Sequence, residues 1–464
     1  MIAQQESRYG CNLVREYQNR LFRAHRLLYN EPQGDKCLHY RRSKAPIGFF
    51  RCSDHSTLEV GMSGVLEGVK VVEVGHVVAI PAAASMMGDC GADVVKVEPL
   101  TGDQSRTFRG SEINPGFYLH NRSKRAIAVN LKEEAGKKIV HQMVENADVF
   151  LTNYRLEALA KLGIDYETLA QINPRLIYGI VTAYGTTGPD KDMPGYDFAA
   201  GWARSGIQYM LTVPGYPPPT SRPGIIDRVS SMQIFGGIAA ALFHRERTGE
   251  GQKVEFNLYH TGVWMVGADI MDALMGVPLR ITDPSKSDNP FYDTYQTKDG
   301  RWLQLTAGDR YAAASDPTGR AFWTKFTKAL DRPDLAEDPR FGTTADRQAH
   351  RSELKPILEE EFRKRTYAEW ETRLRENDLM YGPILSPLDV IEDPQALAND
   401  FFAEIEQPGV GKMRLINQPI RFVQDPGRVR STVPALGEHT DQVLAELGYS
   451  PEEIRELREK NVVR

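Results

Sequence analysis

The stretch KVVEVGHVVAIPAAASMMGDCGADVVKVEP, residues 70–99, decides the fold. It begins with an apolar run typical of a buried strand, continues into an alanine-rich helical stretch and ends in a second strand-like run. Two strands joined by one helix form a right-handed βαβ unit with parallel strands. The alternation continues in three further strand-like runs, RAIAVNL, DVFLTNY and LIYGIVTAYG, with helical stretches between them. The sequence therefore predicts an α/β fold with a mainly parallel sheet.

The composition is that of an ordinary globular protein. The chain has 464 residues, of which 41% are hydrophobic and 26% charged, with a formal net charge of −5. This charge gives no reason to expect nucleic acid or an anionic membrane as a partner. Four cysteines without a CxxC or Cys/His cluster suggest neither a zinc site nor a disulfide framework. We therefore expect a cytoplasmic, metal-free protein that contacts neither nucleic acid nor membrane.

The composition and the periodicity of the sequence change along the chain. Residues 1–61 are Arg-rich, weakly periodic and interrupted by Pro and Gly. They are expected to be an extension that is not part of the core, either an organellar presequence or a stretch upstream of the natural start at Met62. Beyond residue 290, an Asp299-Gly300 turn predicts a hairpin that opens a second, smaller α/β domain. The C-terminal stretch of the sequence has the pattern of an amphipathic helix.

Three familiar site motifs are missing from the sequence. No GxGxxG follows the first strand, and neither a phosphate-binding GxxxxGK[ST] loop nor a GxSxG nucleophile elbow is present. Carboxylates and basic residues near strand ends remain as candidates. Basic residues gathered at one sheet edge suit a phosphorylated ligand such as a nucleotide or coenzyme A. The candidates are Asp103, Arg106, Lys132, Lys161, Asp197, Asp227 and Arg228.

Asp227 stands in the first turn of a long apolar helix that begins near Ile225, after the Pro-rich loop VPGYPPPTSRPG. An aspartate at this place is most often a helix cap, because its carboxylate accepts backbone N–H bonds and complements the helix dipole. A catalytic carboxylate is the alternative. The two roles are compatible in one residue.

Several stretches resemble the class III CoA-transferases, a family that includes formyl-CoA, carnitine and benzylsuccinate CoA-transferases and, as a branch, α-methylacyl-CoA racemase. The resemblance extends from Met62 to the C-terminus. It rests on these stretches: LEGVKVVEVGHVVAIPAAASMMGDCGADVVKVEPLTGDQSR, NRSKRAIAVNLK, DVFLTNYR, LEALAKLGIDYETLAQINPRLIYGIVTAYGTTGP, GYDFAAGWARSGI, RTGEGQKVEFNL, RPDLAEDPRF and PALGEHTDQVLAELG.

The resemblance implies that Asp227 is the catalytic nucleophile, because the family segment matching PPPTSRPGIID ends on that residue. Attack on an acyl-CoA thioester would give an aspartyl anhydride and then an aspartyl-CoA thioester, which an acceptor acid opens. Coenzyme A is then a cosubstrate, with no tightly bound cofactor. We expect the dipole at the helix N-terminus to keep Asp227 ionised at neutral pH.

The resemblance also implies roles for residues that bind substrate. The loop of Val77, Val78 and Ala79 lines the region of the CoA thioester, and Lys132 lies near the CoA nucleotide. Asn153 and Tyr154 match an Asn-aromatic pair that contacts CoA, and Lys161 stands where formyl-CoA transferase has an arginine. Tyr196 and Asp197 belong to a loop that closes over the site, and Arg106 is a further basic candidate.

Departures from the family pattern bear on the reaction. Formyl-CoA transferase has a glutamine at the position of Val78, so a less polar acyl group is expected here. The racemase branch carries GHD where this sequence has GYD, and the ordinary tyrosine pKa of about 10 makes Tyr196 a poor acid/base. Transferase is therefore favoured over the alternatives, an acyl-CoA racemase or isomerase and a catalytically silent acyl-CoA-binding protein.

The resemblance implies an architecture as well. It implies a Rossmann-like large domain, a smaller α/β domain and two chains threaded through each other as an interlocked homodimer. The expected divisions are 1–61 for the extension, 62–260 for the large domain, 261–290 for a linker, 291–390 for the small domain, 391–430 for a second linker and 431–464 for C-terminal helices that return to the large domain.

Overall fold

A computed structural model of the protein describes residues 64–107, 114–279, 289–306, 316, 318–425 and 427–464. The extension expected over residues 1–61 lies outside these ranges. The central feature is a six-stranded sheet with the strand order β3-β2-β1-β4-β5-β6, and every neighbouring pair is parallel. This confirms the predicted α/β fold. The strands are β1 (Lys70–Val74), β2 (Asp93–Glu98), β3 (Arg125–Ala128), β4 (Val149–Thr152), β5 (Ile177–Thr182) and β6 (Gln252–Asn257).

Both faces of this sheet are buried, because successive side chains of a strand point to opposite faces. In β1, Val71 packs into one hydrophobic cluster and Val72 into another. The helices that surround the sheet are α1 (Ala79–Asp89), α2 (Pro115–Asn121), α3 (Glu134–Glu145), α4 (Leu156–Leu162), α5 (Tyr166–Ile172), a π-helix (Phe198–Ala203), α6 (Ile207–Met210), α7 (Ile225–Thr248), α8 (Leu258–Met265) and α9 (Gly267–Leu274).

The long helix α7 begins after Gly224 and ends before Gly249, two glycines in the left-handed conformation with φ of 76° and 79°. Glycine adopts this conformation without the steric cost that a Cβ brings. By length and composition, α7 is also the one helix of the described residues that qualifies as a membrane span. Its buried residues Ile226, Ile234 and Ile238 belong to the same core cluster as the sheet, so packing accounts for its apolar character.

The part of the chain that follows residue 290 contains a three-stranded antiparallel sheet. Its strands are β7 (Thr294–Gln296), β8 (Trp302–Leu305) and β9 (Tyr381–Pro383). The predicted hairpin turn at Asp299-Gly300 joins β7 to β8, with φ of 77° at Gly300. A separate hydrophobic cluster packs on this sheet. The accompanying helices are α10 (Arg320–Leu330), α11 (Pro333–Glu337), a 3-10 helix (Pro339–Phe341), α12 (Thr344–Ala349), α13 (Arg351–Phe362) and α14 (Tyr367–Glu376).

The C-terminal part of the chain ends in two helices that pack on the large sheet. It contains α15 (Pro387–Val390), α16 (Pro394–Ala398), the antiparallel pair β10 (Phe402–Gln407) and β11 (Gly411–Ile416), α17 (Thr440–Glu446) and α18 (Pro451–Glu459). Leu444 and Ile454 join the hydrophobic cluster that contains Val72. The amide of His439 donates to the carbonyl of Ala126 at 2.9 Å. Helices α17 and α18 therefore complete the core beside β3.

Candidate active site

A cleft of about 570 Å³ opens at the carboxyl ends of the central strands. Strands β1 and β4 are neighbours, but the chain leaves β1 toward β2 on one side and β4 toward β5 on the other. This divergence opens a crevice between the two following loops, and ligands of open α/β sheets bind there. Residues that follow β1, β2, β4 and β5 line the cleft, together with Asp227 and Leu258.

The loop after β1 supplies unpaired backbone donors to this cleft. Val77 adopts a left-handed conformation with φ of 69°, which is rare for a β-branched residue. Val78 is the N-cap of α1 and its side chain makes no capping bond. In the described ranges, the amides of Val78 and Ala79 donate to no protein acceptor. Helix N-terminal amides of this kind are suited to bind a negatively charged oxygen.

The loop after β4 is joined to the loop after β1. The amide of His76 donates to Oδ1 of Asn153 at 3.0 Å, and Nδ2 of Asn153 donates to the His76 carbonyl at 2.8 Å. The Tyr154 ring lies edge-on to the His76 imidazole, with centroids 5.3 Å apart. Burial lowers the pKa of His76 below its usual value, so the imidazole is neutral at pH 7.

Asp227 occupies the third position of α7 and borders the cleft. The N-cap of α7 is Gly224, and no capping bond from a side chain is made there. Asp227 is therefore not a helix cap. No donor in the part of the chain that the structure describes hydrogen-bonds to its carboxylate, so the carboxylate oxygens are available to a ligand.

The pKa of Asp227 is raised to about 7. Partial burial is the largest cause, and the negative charge of Asp197 adds to it, whereas the Arg228 guanidinium opposes the shift. The expectation that the helix dipole keeps Asp227 ionised at neutral pH therefore holds only in part, because the pKa lies close to neutral. Protonated and ionised forms coexist near pH 7 because removal from water outweighs the favourable charges nearby.

Asp197 lies beside Asp227 and is 2% exposed. Burial raises its pKa, while hydrogen bonding from the backbone amides of Gly224, Phe198 and Ile226 favours its ionised form. Two of these amides belong to the N-terminus of α7. The carboxyl group of Asp197 therefore lies at this helix end, the place that the sequence assigned to Asp227.

Eight of the predicted site residues border the cleft: Val77, Val78, Ala79, Asp103, Asn153, Tyr154, Tyr196 and Asp227. Arg106 instead forms an ion pair with Glu98 at 2.6 Å and covers the Phe117 ring. Lys161 pairs with Glu157 at 2.6 Å and its side chain is 73% exposed. Neither Lys132 nor Lys161 is among the residues that line the cleft. The roles assigned to these residues stay predictions.

Two kinds of residue escaped the sequence analysis. Arg155 and Lys191 line the cleft, and their places after β4 and β5 were the available signal. Lys96 lies fully buried under the cleft, in register with Glu73 of the adjacent strand. Opposite charges at matching places within two valine-rich strands were the signal for this pair.

The sequence model of CoA-transferase family III matches residues 66–440. The chain belongs to CoA-transferase family III. It is 35% identical over 409 residues to the (R)-2-hydroxy-4-methylpentanoate CoA-transferase of Clostridioides difficile, covering 86% of this chain and 100% of that protein. It is also 35% identical over 413 residues to the cinnamoyl-CoA:phenyllactate CoA-transferase of Clostridium sporogenes, covering 86% of this chain and 98% of that protein.

The fold of this CoA-transferase is shared with solved structures. A CaiB/BaiF family protein from Brucella suis matches 83% of this chain and 100% of its own length, with a TM-score of 0.72 and 30% sequence identity. The resemblance found in the sequence is thereby confirmed, and the protein is an enzyme of the CoA-transferase type.

The raised pKa of Asp227 predicts a pH-dependent gain in stability for Asp227→Asn in this CoA-transferase. The folded state retains the proton up to about pH 7, whereas the unfolded chain loses it near pH 4. The free energy of unfolding of wild type therefore falls relative to that of the variant as pH rises from 4 to 7. Above pH 7 the difference between the two free energies is constant. Urea unfolding at pH 5, 6, 7 and 8 measures it. A stability difference that does not change with pH would contradict the raised pKa.

Proposed function

We propose that this enzyme moves CoA from an acyl-CoA thioester to a free carboxylic acid, with Asp227 as the covalent nucleophile. The observation that carries the proposal is the Asp227 carboxylate, which borders the cleft without a hydrogen-bond donor among the described residues. The loop bearing the free amides of Val78 and Ala79 borders the same cleft. A nucleophile and oxyanion donors in one cleft suit acyl transfer.

In the first half of the proposed reaction, an electron pair of ionised Asp227 attacks the thioester carbonyl carbon. The amides of Val78 and Ala79 stabilise the oxygen that becomes negative. The C–S bond then breaks, which leaves an acyl anhydride on Asp227 and a CoA thiolate. The thiolate attacks the Asp227 carbonyl carbon of this anhydride, releasing the donor carboxylate and forming an aspartyl-CoA thioester.

The second half repeats these steps with the acceptor acid. The acceptor carboxylate attacks the aspartyl-CoA thioester and displaces the thiolate, which forms a second anhydride. The thiolate attacks the acceptor's carbonyl carbon, yielding the new acyl-CoA and ionised Asp227. No net proton is consumed, and the intermediates are close in energy because each step exchanges one carboxylate or thiolate for another.

The proposed substrates are CoA esters and free acids with an apolar side chain. The two relatives from the clostridia are named for 2-hydroxy-4-methylpentanoate and for phenyllactate, which are both 2-hydroxy acids with apolar side chains. Val78, rather than a glutamine, lines the cleft in this chain. We include a homodimer and a cytoplasmic location in the proposal.

The proposed homodimer is supported by the apolar surface around α9. None of the residues of α9 is buried. Trp264 is 75% exposed, Leu274 75% and Met275 74%. Large exposed apolar patches of this kind mark protein–protein contacts, and a second copy of the chain is the partner that the family resemblance implies.

Replacing Asp227 should abolish transfer. Asp227→Ala and Asp227→Asn should both reduce turnover by several orders of magnitude, since they remove the attacking oxygen or its charge. A mass-spectrometric CoA-exchange screen measures turnover, using acetyl-CoA and succinyl-CoA with 2-hydroxy and dicarboxylic acids as acceptors. Wild type treated with acyl-CoA and then hydroxylamine should carry a hydroxamate at Asp227.

Asp441→Asn is the matched control, because Asp441 also lies in the first turn of a helix, α17, and does not border the cleft. It should retain wild-type turnover. An active Asp227→Ala enzyme would refute the covalent mechanism. Exchange of the α-proton of a 2-methylacyl-CoA in heavy water would instead favour a racemase.

The charges around Asp227 predict opposite shifts in the pH dependence of the rate. Transfer needs the ionised carboxylate, so kcat/KM should rise with pH with a midpoint near 7. Asp197→Asn removes a negative charge and should move this midpoint to lower pH. Arg228→Gln removes a positive charge and should move it to higher pH. Shifts of both variants in one direction would exclude this electrostatic origin.

A charge placed in the apolar surface around α9 should weaken the dimer. Leu274→Asp should shift the particle from about twice 52.1 kDa toward the monomer mass in light scattering, because an unpaired carboxylate would be buried in the contact. Thr372→Asp, at an exposed position of α14, is the control and should remain dimeric. A wild-type enzyme that is monomeric at micromolar concentration would overturn the dimer.

A further inference from the structure

A buried ion network lies beneath the loop that carries Val77. Lys96 of β2 and Glu73 of β1 are both completely buried, and Lys96 Nζ lies 2.9 Å from Glu73 Oε1. The same ammonium group lies 3.0 Å from Oδ2 of Asp103. Lys124 pairs with the second oxygen of Glu73 at 2.6 Å. The four side chains form one continuous network under the cleft.

This network reaches the backbone of the loop at two points. Lys96 Nζ donates to the carbonyl of Gly75 at 2.9 Å, and the amide of Val77 donates to Oδ1 of Asp103 at 3.4 Å. Between these points, Asn153 holds both the amide and the carbonyl of His76. Each peptide group that leads into Val77 is therefore held by a side chain.

Val77 needs such support because its backbone conformation is strained. A φ of 69° at a β-branched residue is unfavourable by about 1–3 kcal/mol and persists only where the surroundings enforce it. The strain lies directly before the free amides of Val78 and Ala79. If Val77 returned to an extended conformation, the peptide plane after it would rotate and the amides would point elsewhere.

We propose that Asp103 and Lys96 are positioning residues that hold Val77 in the left-handed conformation and so aim the amides of Val78 and Ala79 at the reacting carbonyl. This inference rests on the proposed function, since it assigns these amides to the oxyanion of acyl transfer. Asp103 acts through its bond to the Val77 amide, and Lys96 acts through Asp103 and the Gly75 carbonyl.

The charges of the network suit this task. Burial alone would raise the pKa of Asp103, but Lys96 and Ser105 outweigh burial and lower it to about 2. Asp103 therefore remains a charged acceptor at neutral pH. Burial opposes the charge of Lys96, yet Glu73 and Asp103 raise its pKa above the usual value.

Rescue by glycine tests this role. Asp103→Ala should lower kcat by about 100-fold with a small change in KM, because misplaced amides lose contact with the transition state. The double variant with Val77→Gly should have a kcat about tenfold or more above that of Asp103→Ala, since glycine adopts a positive φ without support from its surroundings. Asp103→Asn, which keeps an oxygen for the Val77 amide, should lose much less than Asp103→Ala.

The matched control is Asp89→Asn, which breaks another buried ion pair, with Arg122 at 2.7 Å, that does not touch the loop. It should lower stability, and Val77→Gly should bring it no gain in kcat. A folded Asp103→Ala/Val77→Gly enzyme that stays as slow as Asp103→Ala overturns the inference. A wild-type enzyme that forms no hydroxamate overturns the proposed function instead. Urea unfolding of the four enzymes of the cycle gives a separate readout, since Val77→Gly should stabilise the Asp103→Ala background more than wild type.

Discussion

The contact between Glu73 and Lys96 fixes the floor of the cleft. Burying two charges away from water is unfavourable unless each is paired and hydrogen-bonded. Removing one partner of such a buried pair destabilises a protein by about 3–5 kcal/mol. Here every charge in the network has a partner, with Lys124 on the second oxygen of Glu73. Lys124 also donates to the carbonyl of Pro81 in α1 at 2.8 Å. Strands β1 and β2, helix α1 and the segment entering β3 are thereby locked to one another.

Two aspartates border this cleft in opposite electrostatic states. Asp103 contacts an ammonium group and accepts from the backbone and hydroxyl of Ser105, and its pKa is lowered to about 2. Asp227 is partly buried without a donor among the described residues and lies near a second carboxylate, so its pKa is raised to about 7. A carboxylate surrounded by donors is a stable structural acceptor, whereas a poorly solvated one is reactive when ionised. Environment, not residue type, separates their roles.

The sequence predicted the parallel sheet because strand and helix patterns are local. Five strand-like runs and the Asp299-Gly300 hairpin follow from periodicity and turn residues, and the cleft lies where the rule for parallel sheets places a ligand site. The ionisation of Asp227 was predicted only in part because it depends on solvent access and on Asp197, which lies 30 positions earlier in the chain. The pairing of Arg106 with Glu98 and the left-handed Val77 depend likewise on tertiary contacts, which periodicity does not encode.

Three unfavourable features lie at the cleft, although uncapped helices also occur elsewhere, as in α3 and α10. Val77 is strained, α1 begins without a side-chain cap, and Asp227 is partly buried without a hydrogen-bond donor among the described residues. Four helices that do not border the cleft, α12, α14, α15 and α18, instead begin with complete capping boxes. The amides of Val78 and Ala79 instead border the same cleft as Asp227 without a protein acceptor among the described residues. In the proposed reaction, a substrate carbonyl that becomes an oxyanion would accept from these amides in the transition state, and this interaction would lower the barrier.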